Sequence, residues 1–233
     1  MLWRVGHKDD PAGFVPRAHT TWENRWDDPE QTFRTSYAAE TVGTALVEVF
    51  QHYRPTVQAQ TTRGELYPSP YLYPSDDLLA CREHLKALLG PSKWAWRAVV
   101  AVEIDTAARV LDLIKADRGW LEREIPEVLQ SLEIEGINTN VLTSPNREAT
   151  QRIARAAYEK GIAGFRYPSN AGEVPCIALF EGRGRLKATG TLRSVTPDMA
   201  EAHELLQVDV QLIHREDDDN TDELAARGTK PHT

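Results

Sequence analysis

Residues 25–50 read RWDDPEQTFRTSYAAETVGTALVEVF, and the change of period inside them decides the fold class. Phe33 to Ala39 (FRTSYAA) has the β-branched and aromatic content of a strand. From Val42 the apolar residues fall at Val42, Ala45, Leu46, Val49, Phe50 and Tyr53, which is helical spacing, and Pro55 ends it. A strand feeding a helix, preceded by a polar loop holding Arg25, predicts a mixed α/β or α+β class. Glu48 lies on that helix, roughly 140° from the centre of the apolar stripe at about 100° per residue. Periodicity alone leaves two readings of it open: a solvated surface carboxylate, or a carboxylate on a flank that lines a cleft.

Outward from this stretch, Leu2–Val5 predicts a short strand. Arg54 to Ser75 holds Pro55, Pro68, Pro70 and Pro74 with Tyr67, Tyr71 and Tyr73, which predicts an extended loop whose tyrosines pack over the body. A helix is expected over 76–89, closed by Gly90-Pro91. Trp96–Ile104 (WRAVVAVEI) predicts a central strand and Arg109–Leu113 another. Ser144-Pro145 predicts a helix start with proline at its first position, Ala149, Ile153, Ala156 and Ala157 its buried stripe, and Lys160-Gly161 its end. Ile162–Tyr167 and Cys176–Phe180 predict two strands, and Leu186–Val195 and Leu205–Ile213 a last pair. The expected organisation is one domain over 1–214 with an insertion around 54–144. Residues 215–233, where three basic residues meet six acidic ones, are expected to form a disordered tail.

Composition excludes several classes. The chain has 233 residues with 27 Lys+Arg against 35 Asp+Glu, a net charge of −8, which argues against a broad phosphate-binding surface and hence against a direct nucleic-acid partner. A few placed arginines remain enough for a small anion. No apolar run is long enough for a membrane-spanning helix, and MLWRVGHKDD lacks the apolar core of a signal peptide, so the expected location is the cytoplasm. Cys81 and Cys176 stand far apart, so neither a disulfide framework nor a cysteine zinc site is expected. Seven histidines show no metal-binding spacing, and no metal is expected. Gly182-Arg183-Gly184 lacks a third glycine and reads as a basic hairpin turn rather than a dinucleotide fingerprint.

Several blocks, taken in order, resemble the RES family, named for its Arg, Glu and Ser. Leu2-Trp3-Arg4 is similar to the family's opening strand. Arg25-Trp26, Tyr37-Ala38-Ala39 and Ala45-Leu46-Val47-Glu48 resemble its arginine loop, its tyrosine strand and its glutamate helix. GIAGFRYPSNAGEVPCIALF, residues 161–180, resembles its Gly-Ile strand and Pro-Ser turn and places the family serine at Ser169. Two departures stand out. Asp27 occupies the place of an Asn or His, and Asp28-Pro29-Glu30 replaces a Pro-Pro-Gly-like turn.

The resemblance implies an α+β fold like that of ADP-ribosyltransferases and an enzyme that cleaves the nicotinamide–ribose bond of NAD+. Phosphate as acceptor would give ADP-ribose 1-phosphate, and water would give ADP-ribose. It also implies a toxin whose partner is an Xre-type antitoxin, with no cofactor beyond the substrates and with self-association left open. Transfer of ADP-ribose to a protein, or a catalytically silent nucleotide- or partner-binding domain, are the alternatives. In the roles so implied, Glu48 stabilises an oxocarbenium-like ribose and Arg25 grips phosphate through a forked contact. Tyr37 offers a ring to nicotinamide, Ser169 hydrogen-bonds the nucleotide, and Arg4 is a second candidate for the anion.

Overall fold

The computed structural model describes residues 1–50, 56–62, 65–66, 96–144, 146–169, 174–196, 199 and 209–214. The chain divides into two compact units, Met1–Arg54 with Asp77–Gln207, and Pro55–Asp76 with Val208–Thr233.

In the first unit the strands are β1 (Leu2–His7), β2 (Thr35–Ala39), β5 (Arg97–Asp105), β6 (Val110–Asp112), β7 (Gly164–Tyr167), β8 (Cys176–Phe180), β9 (Arg185–Ala188) and β10 (Arg193–Ser194). They form an eight-stranded sheet in the order β10-β5-β1-β2-β8-β7-β6, with β9 also on β5. Every pairing is antiparallel except β6 with β7. The α-helices among the described residues are α1 (Val42–Phe50), α2 (Arg118–Glu124), α3 (Pro126–Ser131), α4 (Thr139–Thr143) and α5 (Arg147–Glu159). This is an α+β architecture, as the alternation of periods predicts.

Strand period 2 gives the sheet two different faces. One packs Val5, Ala39, Val99, Phe165, Tyr167, Cys176 and Ala178 against buried residues of all five helices. The other gathers Ala38, Val100, Val102, Ile177, Leu179 and Leu186 into a smaller cluster that none of the described helices joins.

Helix α1 opens at Thr41, whose Oγ1 accepts from the Thr44 N–H at 3.2 Å. Seven of its nine residues are buried, so only Glu48 and Val49 keep some exposure. Val49, in the middle of the predicted stripe, is half-buried. Helix α5 starts two residues later than Ser144-Pro145 implies. Asn146 caps it by accepting from the Glu148 N–H at 3.0 Å, so its first residue is Arg147; Pro145 lies outside the described residues. Its far end is as expected: Lys160 caps it and Gly161 turns the chain at φ 81°.

Residues 114–143, which periodicity leaves unassigned, form α2, α3 and α4. Leu121, Ile125 and Leu129 project into the helix-side core at four-residue spacing, and Pro126 begins α3 after the break at Ile125. The turn at Gly182–Gly184 is not a hairpin. It carries the chain from β8, paired with β2 and β7, to β9 on β5.

The second unit holds β3 (Thr56–Thr62), β4 (Glu65–Leu66) and β11 (Asp209–His214), in the order β11-β3-β4 with β11 parallel to β3. Two strands therefore stand inside the segment expected to be loop. The prolines that argued for loop sit at 55 and from 68 onward, leaving TVQAQTT free to pair. Tyr67, Tyr71, Tyr73, Cys81, the helix expected over 76–89 and the tail over 215–233 lie outside the described residues.

Candidate active site

On the helix side of the sheet, β2, β8 and β7 bring Ala39, Cys176 and Tyr167 into register, with Tyr37, Ala178 and Phe165 in the next row. Ala39, Cys176 and Ala178 of the middle strands are small, and the rings of Tyr37, Phe165 and Tyr167 stand beside them.

Arg25 is positioned by its neighbours in sequence. Trp26 is fully buried, edge-on to Phe165 at 4.8 Å and Tyr167 at 5.4 Å, and its carbonyl accepts from Thr35 Oγ1 at 2.7 Å. Asp27 Oδ2 accepts from the backbone and side-chain amides of Asn24 at 2.9 Å each. The loop is thus pinned on both sides of Arg25. The Arg25 guanidinium donates to the Ser144 carbonyl at 2.9 Å and is only 5% exposed. Burial pulls its pKa below the usual guanidinium value, the adjacent positive charge of Arg147 adds to this, and Tyr167, Glu48 and Tyr37 oppose it.

Glu48 faces this cluster from α1. Ser169 Oγ donates to Glu48 Oε1 at 2.5 Å. Cys176 is buried among Ser169, Glu48 and Tyr167; burial first and the Glu48 charge second push its thiol well up, so it remains a neutral S–H. The flank of α1 that bears Glu48 therefore meets protein partners. The Tyr37 hydroxyl donates to Asp27 Oδ1 at 3.0 Å and accepts from the Trp26 N–H at 3.1 Å. Burial and the Asp27 charge hold its pKa far above the ordinary phenol value. What Tyr37 offers beyond this pair of bonds is its ring.

Arg25, Tyr37, Glu48 and Ser169, spread over 145 positions of sequence, thus share one neighbourhood. Arg4 does not join them. Alternation on β1 sends Trp3 and Val5 to the helix side and turns Arg4 to the other face, where it donates to the carbonyls of Pro11 (2.9 Å), Tyr37 (2.7 Å) and Gly13 (2.7 Å). Gly6 permits this clamp, since a Cβ there would meet the Pro11 carbonyl oxygen at 2.3 Å. Arg34 and Arg166 are also occupied, the first by Glu181 and the second by Glu40 and Asp112.

Both departures from the family pattern have structural work. The Asp27 carboxylate is consumed by Asn24 and Tyr37, and burial raises its pKa. Burial likewise acts to raise that of Asp28, but hydrogen bonds from Thr32 and Glu30 and the charge of Arg155 outweigh it and hold the carboxyl below its usual range. Sequence reasoning missed Tyr167 and Cys176. The only signal for them was their place on two predicted strands of opposite direction, which register alone turns into neighbours. Among the described residues no group of three His, Cys, Asp or Glu side chains is placed to hold a metal ion, and no helix is long and apolar enough to cross a membrane.

A family model described as the RES domain matches residues 1–198. No curated protein matches the chain. Among solved structures, one from the M. tuberculosis MbcT–MbcA toxin–antitoxin complex is similar at 15% identity and a TM-score of 0.45, over 84% of each chain.

Proposed function

This chain belongs to the RES domain family, and from that premise we propose that it cleaves the nicotinamide–ribose bond of NAD+, with Glu48 as the catalytic carboxylate. The observation that carries the reading is the Ser169–Glu48 hydrogen bond, which holds a carboxylate beside a nearly buried arginine that has no ion-pair partner among the described residues.

The chemistry suits these groups. As the C1′–N bond breaks, its electron pair leaves with the pyridine nitrogen, so nicotinamide departs neutral and needs no strong acid. The ribose becomes oxocarbenium-like, and a fixed carboxylate stabilises it without reorganising at the moment of reaction. Ser169 supplies that fixity, because its donated hydrogen bond restricts the rotamers of Glu48. Arg25 presents a planar fork to the diphosphate, and the Tyr37 ring forms a face for the nicotinamide. A phosphate oxygen attacking C1′ then yields ADP-ribose 1-phosphate, and water attacking there yields ADP-ribose and a proton.

Asp27 supports an active enzyme over a silent binding domain, because its charge is tied to Asn24 and Tyr37 rather than set against Arg25. The biological role that fits is a toxin restrained by an antitoxin of the Xre type. The test is incubation of purified protein with NAD+, with and without phosphate, followed by product mass. Phosphate-dependent ADP-ribose 1-phosphate supports phosphorolysis, and ADP-ribose in both conditions supports hydrolysis. Intact NAD+ throughout overturns the reading.

A further inference from the structure

Helix α5 runs along the loop of residues 22–32, and its contact residues follow helical spacing. Gln151 Nε2 donates to the carbonyls of Trp22 at 3.1 Å and Asn24 at 3.0 Å. One turn later Arg155 pairs with Asp28 at 3.2 Å and Glu30 at 3.0 Å. One turn earlier, on the same face, stands Arg147, the first residue of the helix. The chain just before it, at Ser144, is where the Arg25 guanidinium docks. Arg147 is therefore brought to the end of the loop that holds Arg25 and Asp27, and its charge acts on both.

Gln151 and Arg155 are spent on the loop, whereas the Arg147 guanidinium has no hydrogen bond or ion pair among the described residues and the residue is half-buried. Asp27, a carboxylate on which its charge acts, is already tied to Asn24 and Tyr37. Two guanidiniums whose charges act on each other, one of them 5% exposed, repel in a partly dry setting. Such a pair is stable when an anion lies between its members. A diphosphate bears one charge or more on each phosphate, so it matches two forks better than one.

We propose that Arg147 is the second guanidinium of the site, and that Arg25 and Arg147 together grip the diphosphate of a dinucleotide while Glu48 faces its ribose. This rests on the proposed NAD+ chemistry for the identity of the ligand, and its test is chosen to stand apart from turnover. Binding of ADP-ribose, of inorganic pyrophosphate and of inorganic phosphate is measured by calorimetry on the full chain, as wild type, Arg147→Ala and Arg147→Lys, with thermal melting as the check on folding.

Arg147→Ala is expected to weaken ADP-ribose and pyrophosphate by about tenfold or more, and Arg147→Lys to recover part of the loss, since it restores charge without the fork. With NAD+ as substrate, KM should rise by about the same factor while kcat moves about twofold or less. Equal ADP-ribose affinity in wild type and Arg147→Ala overturns the proposal, as does a wild type that binds neither ADP-ribose nor pyrophosphate. An effect on inorganic phosphate alone overturns the diphosphate assignment in favour of an acceptor site. Arg147-dependent ADP-ribose binding without any NAD+ turnover would uphold the clamp and refute the enzymatic reading instead.

Discussion

Arg4 and Arg25 are each 5% exposed, yet they lie on opposite sides of one sheet and are used differently. Arg4 gives its donors to three backbone carbonyls and holds the loop of residues 11–13 to β1 and β2. Burial lowers its pKa to about 10, the nearby Asp10 opposing, so it stays charged at neutral pH. Arg25 gives one hydrogen bond, to Ser144, and shares its surroundings with Glu48, Tyr167 and Arg147. On the Arg4 face the neighbouring guanidinium of Arg34 is likewise paired, with Glu181. The helix side keeps a guanidinium and a carboxylate that are oriented but not consumed by each other. Burial alone marks neither residue as functional; the difference lies in how much of each group's bonding is left over.

Breaking the contrast on the helix side should have the largest effect. On the proposed reaction, Glu48→Gln keeps the shape and the Ser169 partner but removes the charge. Turnover of NAD+ should fall by about a thousandfold, roughly 4 kcal/mol of barrier, with a melting temperature near that of the wild type.

On the opposite face the expected loss is in stability. Arg4→Ala strands three carbonyls, and urea denaturation should show a destabilisation of about 3 kcal/mol, while activity per folded molecule changes far less than in Glu48→Gln.

Asp28→Asn probes the loop between the two sides. The native carboxyl is held below its ordinary range, so it adds stability above about pH 3.9, and that contribution is lost as pH falls through its lowered value. Urea titrations should find the variant about 2 kcal/mol less stable at pH 7, with a narrower gap from wild type at pH 3.

Arg25→Lys keeps the charge and removes the fork. KM for NAD+ should rise about tenfold, about 1.4 kcal/mol, in steady-state assays. Tyr37→Phe should be smallest, about 1 kcal/mol of stability with little change in kcat, because the hydroxyl serves Asp27 and Trp26 while the ring remains.

How far these sides were legible depends on the range of the forces that set them. Strands β2, β7 and β8 and helix α1 announce themselves because burial on one face imprints a local period. Arg25, Tyr37, Glu48 and Ser169 were reached through ordered blocks that resemble a family, and chain order carries such blocks across long separations. Arg4 was assigned to the same group although strand alternation already set it on the face opposite Trp3; adjacency in sequence is separation across a sheet. Cys176 and Tyr167 become partners only through the register of β7 with β8, which no local pattern encodes. The short helices over 118–143 escaped because each buries a single residue and two of them meet at a proline. The commitment of Asp27 to Asn24 and Tyr37 needed the folded loop.

The most direct measurement quantifies free nicotinamide released from NAD+ by wild type and Glu48→Gln at equal concentrations of folded protein. Steady release by the wild type and a trace at most from the variant is the predicted result. Equal release from both, or none from either, contradicts the assignment of Glu48 and the chemistry proposed for this face of the sheet.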